Sequence, residues 1–440
     1  LIAAFEEIVY MNIATLEQDL RTYRPAGMEG LPEEFVWPRY EGLSVGNVPA
    51  TVGELLGART SGILPPLRSD LLEGLTDGVR TVVAVLLDAL GWVQLRQWMA
   101  DDESLVFHEL AEKGRLLPLT SVFPSTTNNV LATLRTGVPP VRHGLLAYEL
   151  YLRELYTAAE CITFSPLAHK SPGLLETWGL EPDTFLPVPP LAHLFSVQGI
   201  LTYYLIAKHI SYGPLSRMYF RGSREVYTHS FASDFWYTLR EVLHAHHDER
   251  TFISAYWSGV DTLAHEHGPQ HGTLPNEVHA LSYLMKHSFL ERLTPEDREG
   301  TLLLILADHG QIPVYPETSI LLDDHPQLRD ALVLPPLGEA RTPFFHVRAG
   351  HLEEVRAYLE ANFGGEMALL DRQMVLESGL LGPGEPYEEV YHRLGDLVGL
   401  MRDRYVIVRD AEIIGRLNGR HGGVVPEEML VPLLAVRLDA

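Results

Sequence analysis

The sequence predicts an α/β protein built on a central, mostly parallel sheet. Three observations carry that expectation. The chain has 440 residues, enough to bury a large core. From residue 81 onward, apolar runs of strand length alternate with stretches of helical period, the pattern of βαβ units. Three of those runs end in an aspartate: Thr81–Leu87 runs into Asp88, Thr251–Val260 into Asp261, and Thr301–Ala307 into Asp308. In open α/β sheets, ligands sit beyond the carboxyl ends of the strands, where these three side chains fall.

In chain order, residues 1–80 are loosely patterned and punctuated by Arg24-Pro-Ala-Gly and Leu64-Pro-Pro-Leu, so they are expected to wrap the core. Strands are expected at 81–87, 116–122, 251–257, 301–307 and 429–437. Helices are expected at 128–136, 231–247, 274–291, 351–363 and 387–394. Two segments interrupt the alternation. Residues 149–230 are rich in Tyr, Pro and Gly, carry Arg217, Arg221 and Arg224, and read as a cap insertion. Residues 312–414 read as a small α+β insertion, with Phe344-Phe-His-Val and Met367-Ala-Leu-Leu as strands around the helix at 351–363. The catalytic core would then be 81–311 with 415–440. No internal repeat is visible.

Composition is that of a globular protein, 46% hydrophobic and 21% charged, with a formal charge of −24. That charge argues against nucleic acid polymers and anionic membranes as partners, since both are polyanions. A small phosphorylated substrate remains compatible, provided the site itself is locally cationic. The single cysteine, Cys161, excludes an intramolecular disulfide. No apolar run approaches the ~18 residues that span a bilayer. The start, Leu1-Ile-Ala-Ala-Phe-Glu-Glu, is acidic and does not read as a signal peptide. A cytoplasmic protein is expected.

A carboxylate at the end of a run of Val, Leu and Ile is costly unless a cation meets it. Asp261 has His265 four residues on, which puts both on one face of a helical turn. Asp308 is followed directly by His309, and His421 stands in the glycine-rich turn Asn418-Gly-Arg-His-Gly-Gly before the last strand. Taken singly, each of these is more often a cap, a surface carboxylate or a core histidine. Taken together, carboxylate oxygens and imidazoles at strand ends point to bound metal and hydrolytic chemistry. A nucleophile is offered by Ser125-Thr126-Thr127-Asn128, where a helix should begin. Hydroxyls there are also preferred N-caps, and capping alone is an equally good explanation. The functional alternative is attack on phosphorus by one hydroxyl, with the helix N-terminus behind it binding phosphate oxygens.

The stretches Val83–Gly91, Phe123-Pro-Ser-Thr-Thr through Gly137 with His143-Gly144, Asp261–Pro269, Ala307-Asp-His-Gly310 and His421-Gly-Gly through Pro432 resemble the alkaline phosphatase superfamily. Within it they are similar to the type I phosphodiesterase/nucleotide pyrophosphatase branch. The resemblance implies a three-layer alkaline phosphatase-like sandwich with cap insertions. It implies that Thr127 is the nucleophile and passes through a phospho-threonine intermediate. It also implies two divalent metals, Zn²⁺ by donor type, with Mn²⁺ or Fe²⁺ as alternatives. One would be held by Asp88, Thr127, Asp308 and His309, the other by Asp261, His265 and His421. One departure bears on the substrate. The branch usually carries a phosphate-binding Asn where this chain has Tyr148, and Asn128 is the substitute donor nearest the nucleophile. The substrate is expected to be a small phosphodiester or pyrophosphate, a nucleotide among the candidates. A phosphomonoesterase or phosphonate hydrolase is the alternative within the same chemistry. A non-catalytic binding protein on the same fold is the alternative outside it.

Other candidates have plainer explanations. His244, His246 and His247 suit a helix C-terminus. His267 and His271 read as solvated loop residues, His143 as structural, and Asp323, Asp324 and His325 as a polar turn. Arg217, Arg221 and Arg224 read as a solvated basic face.

Overall fold

Seven strands form the central sheet: β1 (Thr81–Leu87), β2 (Arg115–Thr120), β3 (Leu201–Ala207), β4 (Glu225–His229), β5 (Thr251–Trp257), β6 (Thr301–Leu306) and β7 (Leu430–Arg437). Their order in this computed structural model is β2-β7-β6-β1-β5-β3-β4. Strands β6, β1, β5, β3 and β4 run parallel, and β7 lies antiparallel between β2 and β6. The structure describes residues 13–440, so the acidic start at 1–7 lies outside the described residues.

All seven residues of β1 and all six of β6 are buried, which is why these strands read as continuous apolar runs rather than alternating ones. Each such Leu, Ile or Val contributes roughly 1.5–3 kcal/mol relative to exposure. The expected strands at 81–87 and 251–257 have those bounds, those at 301–307 and 429–437 differ by one residue at one end, and that at 116–122 differs by one residue at its start and two at its end.

Two expectations need correction. The segment 149–230 was expected to stand outside the core sheet, yet β3 and β4 are its last two strands. In β3, Tyr203 and Tyr204 are buried against the core, and aromatic density there mimicked a cap. In β4, an edge strand, only His229 is buried, so no apolar run marks it. The two interruptions also do not fold as separate units. Glu149–Leu152, Thr157–Glu160 and Ser165–Pro166 share one antiparallel seven-stranded sheet with Leu337–Gly338, Pro343–Phe345, Met367–Asp371 and Leu397–Met401.

The register positions the site. Leu86 is opposite Leu306, so Asp88 and Asp308, each two residues further on, emerge side by side. Leu87 is opposite Trp257, and Asp261 follows in the first turn of α4 (Gly259–His267); the several helices before it include α1 (Trp92–Asp101), α2 (Thr127–Thr136) and α3 (Ala232–His246). Because β7 is antiparallel, its entry end lies at the carboxyl ends of its neighbours, which delivers the loop carrying His421.

Candidate active site

Asp88 and Asp308 are 2% and 0% exposed. Asp308 Oδ1 accepts from the backbone N–H of Ala89 at 3.1 Å and of His309 at 3.0 Å. Asp88 Oδ2 accepts from the Tyr256 phenol. The other oxygens, Asp88 Oδ1 and Asp308 Oδ2, are buried without any hydrogen-bond partner. Burial, then the charges of Asp308 and Asp261, hold Asp88 well above the ordinary carboxylate range. Two orphaned carboxylate oxygens at this depth are the signature of a place where a cation belongs.

The three imidazoles share one arrangement. His309 Nδ1 meets Gly310 O at 3.1 Å, His265 Nδ1 meets Gly419 O at 2.8 Å, and His421 Nδ1 meets Ser125 O at 3.2 Å. Each backbone carbonyl accepts a hydrogen bond from Nδ1–H, the tautomer that leaves Nε2 with its lone pair facing inward, as metal-ligating histidines require. His309 Nε2 is 3.5 Å from both Asp88 Oδ1 and Asp308 Oδ2. His265 Nε2 is 3.3 Å and His421 Nε2 3.9 Å from Asp261 Oδ1. The His309 and His421 rings stack at 3.7 Å. Burial first, then the neighbouring His309 and His265, keep His421 neutral by lowering its pKa.

Two metal-sized groupings result. Asp88, Asp308 and His309 bring their ligand atoms within 4.8 Å of one another, and Asp261, His309 and His421 do the same. His309 is common to both. His265, expected with Asp261 and His421, lies beside Asp261 but outside that tight group. A third grouping, His244, His247 and Asp297, lies elsewhere. There the Asp297 carboxylate accepts from the Thr294 N–H that opens a short helix and contacts His244 at 2.9 Å, which explains it structurally.

The hydroxyl cluster is not spent on capping. Thr126 is the N-cap of α2, yet its hydroxyl donates to Glu339 Oε1 at 2.8 Å, and no side chain caps the helix. Ser125 Oγ donates to Gly423 O. Thr127 Oγ1 lies 3.0 Å from His309 Nε2, at the rim of the carboxylate cluster. The first-turn N–H groups of α2 are thus open to an anion.

Asn128 and Tyr148, the expected substrate contacts, have these surroundings. Asn128 Nδ2 donates to Ala147 O at 3.2 Å, tying α2 to the loop before Tyr148. The Tyr148 phenol is held up in pKa by burial and by Glu160, which it faces. Arg217 pairs with Glu176, Arg221 donates to Asp183 O, and His143 is buried against Thr133 and the Leu145 N–H.

Several contributors escaped the sequence. Tyr256 orients Asp88, and Gln311 donates to Asp261. Glu339 reaches in from the second sheet, where Gly338 pairs with Glu149, so Glu339 falls opposite Tyr148 and accepts its N–H at 2.7 Å. The only signals were a Tyr inside an apolar strand and a Gln three residues after Asp308; Glu339 had none.

The sequence profile of the type I phosphodiesterase/nucleotide pyrophosphatase family matches residues 82–423. Among solved structures, murine ectonucleotide pyrophosphatase/phosphodiesterase 5 aligns with a TM-score of 0.58 at 17% identity, over 81% of this chain and 87% of that one. Phosphonoacetate hydrolase from Sinorhizobium meliloti aligns at 0.60 and 17%, over 81% and 90%. The human ectonucleotide pyrophosphatase/phosphodiesterase 5 aligns at 0.60 and 16%, over 81% and 87%. A search of curated proteins finds no match. At these identities the solved structures establish the fold, and among the described residues no helix is long and apolar enough to cross a membrane. The profile spans most of the chain and includes every strand-end aspartate described above: the chain belongs to the type I phosphodiesterase/nucleotide pyrophosphatase family, the hydrolases of that name within the alkaline phosphatase superfamily.

Proposed function

We propose that the protein hydrolyses a phosphodiester or phosphoanhydride bond of a small substrate through a covalent phospho-threonine at Thr127. The observation that carries this reading is Thr127 Oγ1, uncapped and 3.0 Å from His309 Nε2, beside two buried carboxylate oxygens that lack partners. The donor set fits two divalent cations of the Zn²⁺ type. Asp88, Thr127, Asp308 and His309 would hold one, and Asp261, His265 and His421 the other. When bound, they would supply Lewis acidity and neutralise charge on the phosphoryl oxygens.

The chain's own residues do the rest. Thr127 Oγ1 gives up its proton and forms a new P–O bond as the bond to the leaving oxygen breaks, and that oxygen departs protonated or as a phosphate. Water later breaks the Thr127–phosphorus bond, releasing the rest of the substrate as a phosphomonoester and returning a proton to the hydroxyl. The uncapped start of α2 offers N–H groups to the phosphoryl oxygens. The Nδ1-to-carbonyl bonds of the three histidines fix their rings before substrate arrives. The alternative, a phosphomonoesterase or phosphonate hydrolase, draws on Tyr148 standing where the branch usually has an amide.

The test compares bis-para-nitrophenyl phosphate with para-nitrophenyl phosphate on the metal-loaded protein. The diester should be cleaved faster, and the reverse order would favour the alternative. Thr127→Ala should lose about 10³-fold or more while retaining its metal. Acid-quenched wild-type protein should carry a phosphoryl adduct on the peptide containing Thr127; an adduct on Ser125 or Thr126 would reassign the nucleophile.

A further inference from the structure

One cation at this site has no counterpart in the proposed chemistry. Arg420 immediately precedes His421, in a short antiparallel pair where it faces Ile312. Its guanidinium is largely covered, and its electrostatic neighbours are Glu339, Glu149 and Tyr148. Among the described residues its side chain forms no hydrogen bond and no ion pair. The nearby carboxylates are committed elsewhere. Glu149 is paired with Arg409 at 2.7 Å. Glu339 turns Oε1 to Thr126 Oγ1 and to the Tyr148 N–H, and burial pushes its carboxyl up to about 7, so Arg420 does not neutralise it as a close partner would. The guanidinium nitrogens are not among the sealed, unsatisfied atoms of the core, so they reach solvent.

A guanidinium that is largely covered, has no protein hydrogen-bond partner and still reaches solvent through its N–H groups keeps its donors free for an arriving anion. Its planar fork matches a carboxylate or phosphate in two parallel hydrogen bonds. Its electrostatic neighbour Glu339 accepts from Thr126, one residue from the proposed nucleophile, and from the Tyr148 N–H, and Arg420 itself is next to His421 in the chain.

We propose that Arg420 is a specificity-determining residue that binds a second oxyanion of the substrate, a carboxylate or phosphate lying outside the phosphoryl group attacked by Thr127. This rests on the phosphoryl-transfer reading of the site. It narrows the substrate to phosphoryl compounds with a second anionic group, and assigns the task left open by Tyr148 to a residue on another loop.

The test measures binding by calorimetry to metal-loaded protein. The probes are ethylphosphonate with one anionic group, pyrophosphate with a second phosphate, and 3-phosphonopropionate with a carboxylate. Wild type should bind at least one of the latter two about tenfold or more tighter than ethylphosphonate, and the tighter one identifies the oxyanion. In Arg420→Ala and Arg420→Gln that ratio should collapse towards one, and Arg420→Lys should restore part of it. Thermal melting of each variant checks folding. A wild-type ratio near one, or a ratio retained in Arg420→Gln, would overturn the proposal while leaving the phosphoryl site standing. Equal weakening of all three probes would make Arg420 merely structural. No binding of any probe by wild type would instead overturn the phosphoryl reading on which the proposal rests.

Discussion

At Asp88 the decisive neighbour is a phenol. Tyr256 donates to Oδ2, which leaves Oδ1 as the only oxygen free to meet a cation. A buried carboxylate without that tether could rotate, so orientation is what Tyr256 provides. Tyr256→Phe should therefore weaken metal binding by about 10–100-fold with the fold intact, measured by competitive metal titration. Unchanged affinity would show that packing alone orients Asp88. This residue also marks the limit of what the sequence discloses. Asp88, Asp308, His309 and His421 are legible because each sits just past a strand end or in a glycine-rich turn, and Asp261 because it closes an apolar run, although it stands in the first turn of α4. Tyr256 and Gln311 act on those residues from the next layer, and only the register of neighbouring strands brings them into reach. In the sequence Thr127 is ambiguous between cap and nucleophile; the structure shows that no side chain caps the helix and that the N-cap hydroxyl of Thr126 is on Glu339, while Thr127 as nucleophile is our proposal.

At the scale of elements, β1, β2, β5, β6 and β7 and two strands of the second sheet, at Pro343–Phe345 and Met367–Asp371, could be read, whereas β3, β4 and the union of 149–166 with 337–401 in one sheet could not. The strands of that second sheet are two to five residues long and mostly pair within 149–166 or within 337–401; the two segments are joined by the single pairing of Gly338 with Glu149, which no local period announces. What anchors this sheet to the core is a fully buried ion pair. Arg341 Nη2 meets Glu428 Oε2 at 2.9 Å with both side chains at 0% exposure. Arg341 also donates to the carbonyls of Arg402 and Tyr405, and Glu428 Oε1 accepts the Gly423 N–H two residues from His421. One carboxylate thus joins the insertion, the last strand and the His421 loop. Glu428→Gln keeps the volume but leaves a guanidinium buried against a neutral amide, which should cost about 3–5 kcal/mol. A lowered urea midpoint checks it. A double replacement of Arg341 and Glu428 by Met should recover much of that loss, because the stranded charge disappears with its partner. A midpoint within error of wild type for Glu428→Gln would mean the pair contributes nothing.

Over the whole molecule, a formal charge of −24 is carried mostly on the surface, but part of it is driven into the carboxyl end of the central sheet. The fold places Asp88 and Asp308 side by side with free oxygens, so the metal-free protein keeps like charges buried together or protonates one of them. Metal binding to the native state alone relieves this and adds about 2.7 kcal/mol per site at a hundredfold excess over Kd. Chelation should accordingly lower the melting temperature by several degrees, and added Zn²⁺ should restore it, followed by differential scanning calorimetry. Asp308→Asn separates the two contributions. The amide retains the oxygen that accepts from the Ala89 and His309 N–H groups, so local geometry survives. It removes the repulsion with Asp88, so the metal-free variant should melt higher than metal-free wild type. It also removes a ligand, so its gain on adding Zn²⁺ should shrink. The two shifts have opposite signs from a single substitution, which a general loss of packing would not produce. A metal-free variant that melts lower than wild type, or one that keeps the full Zn²⁺ increment, would mean that Asp308 serves the fold and not the cation.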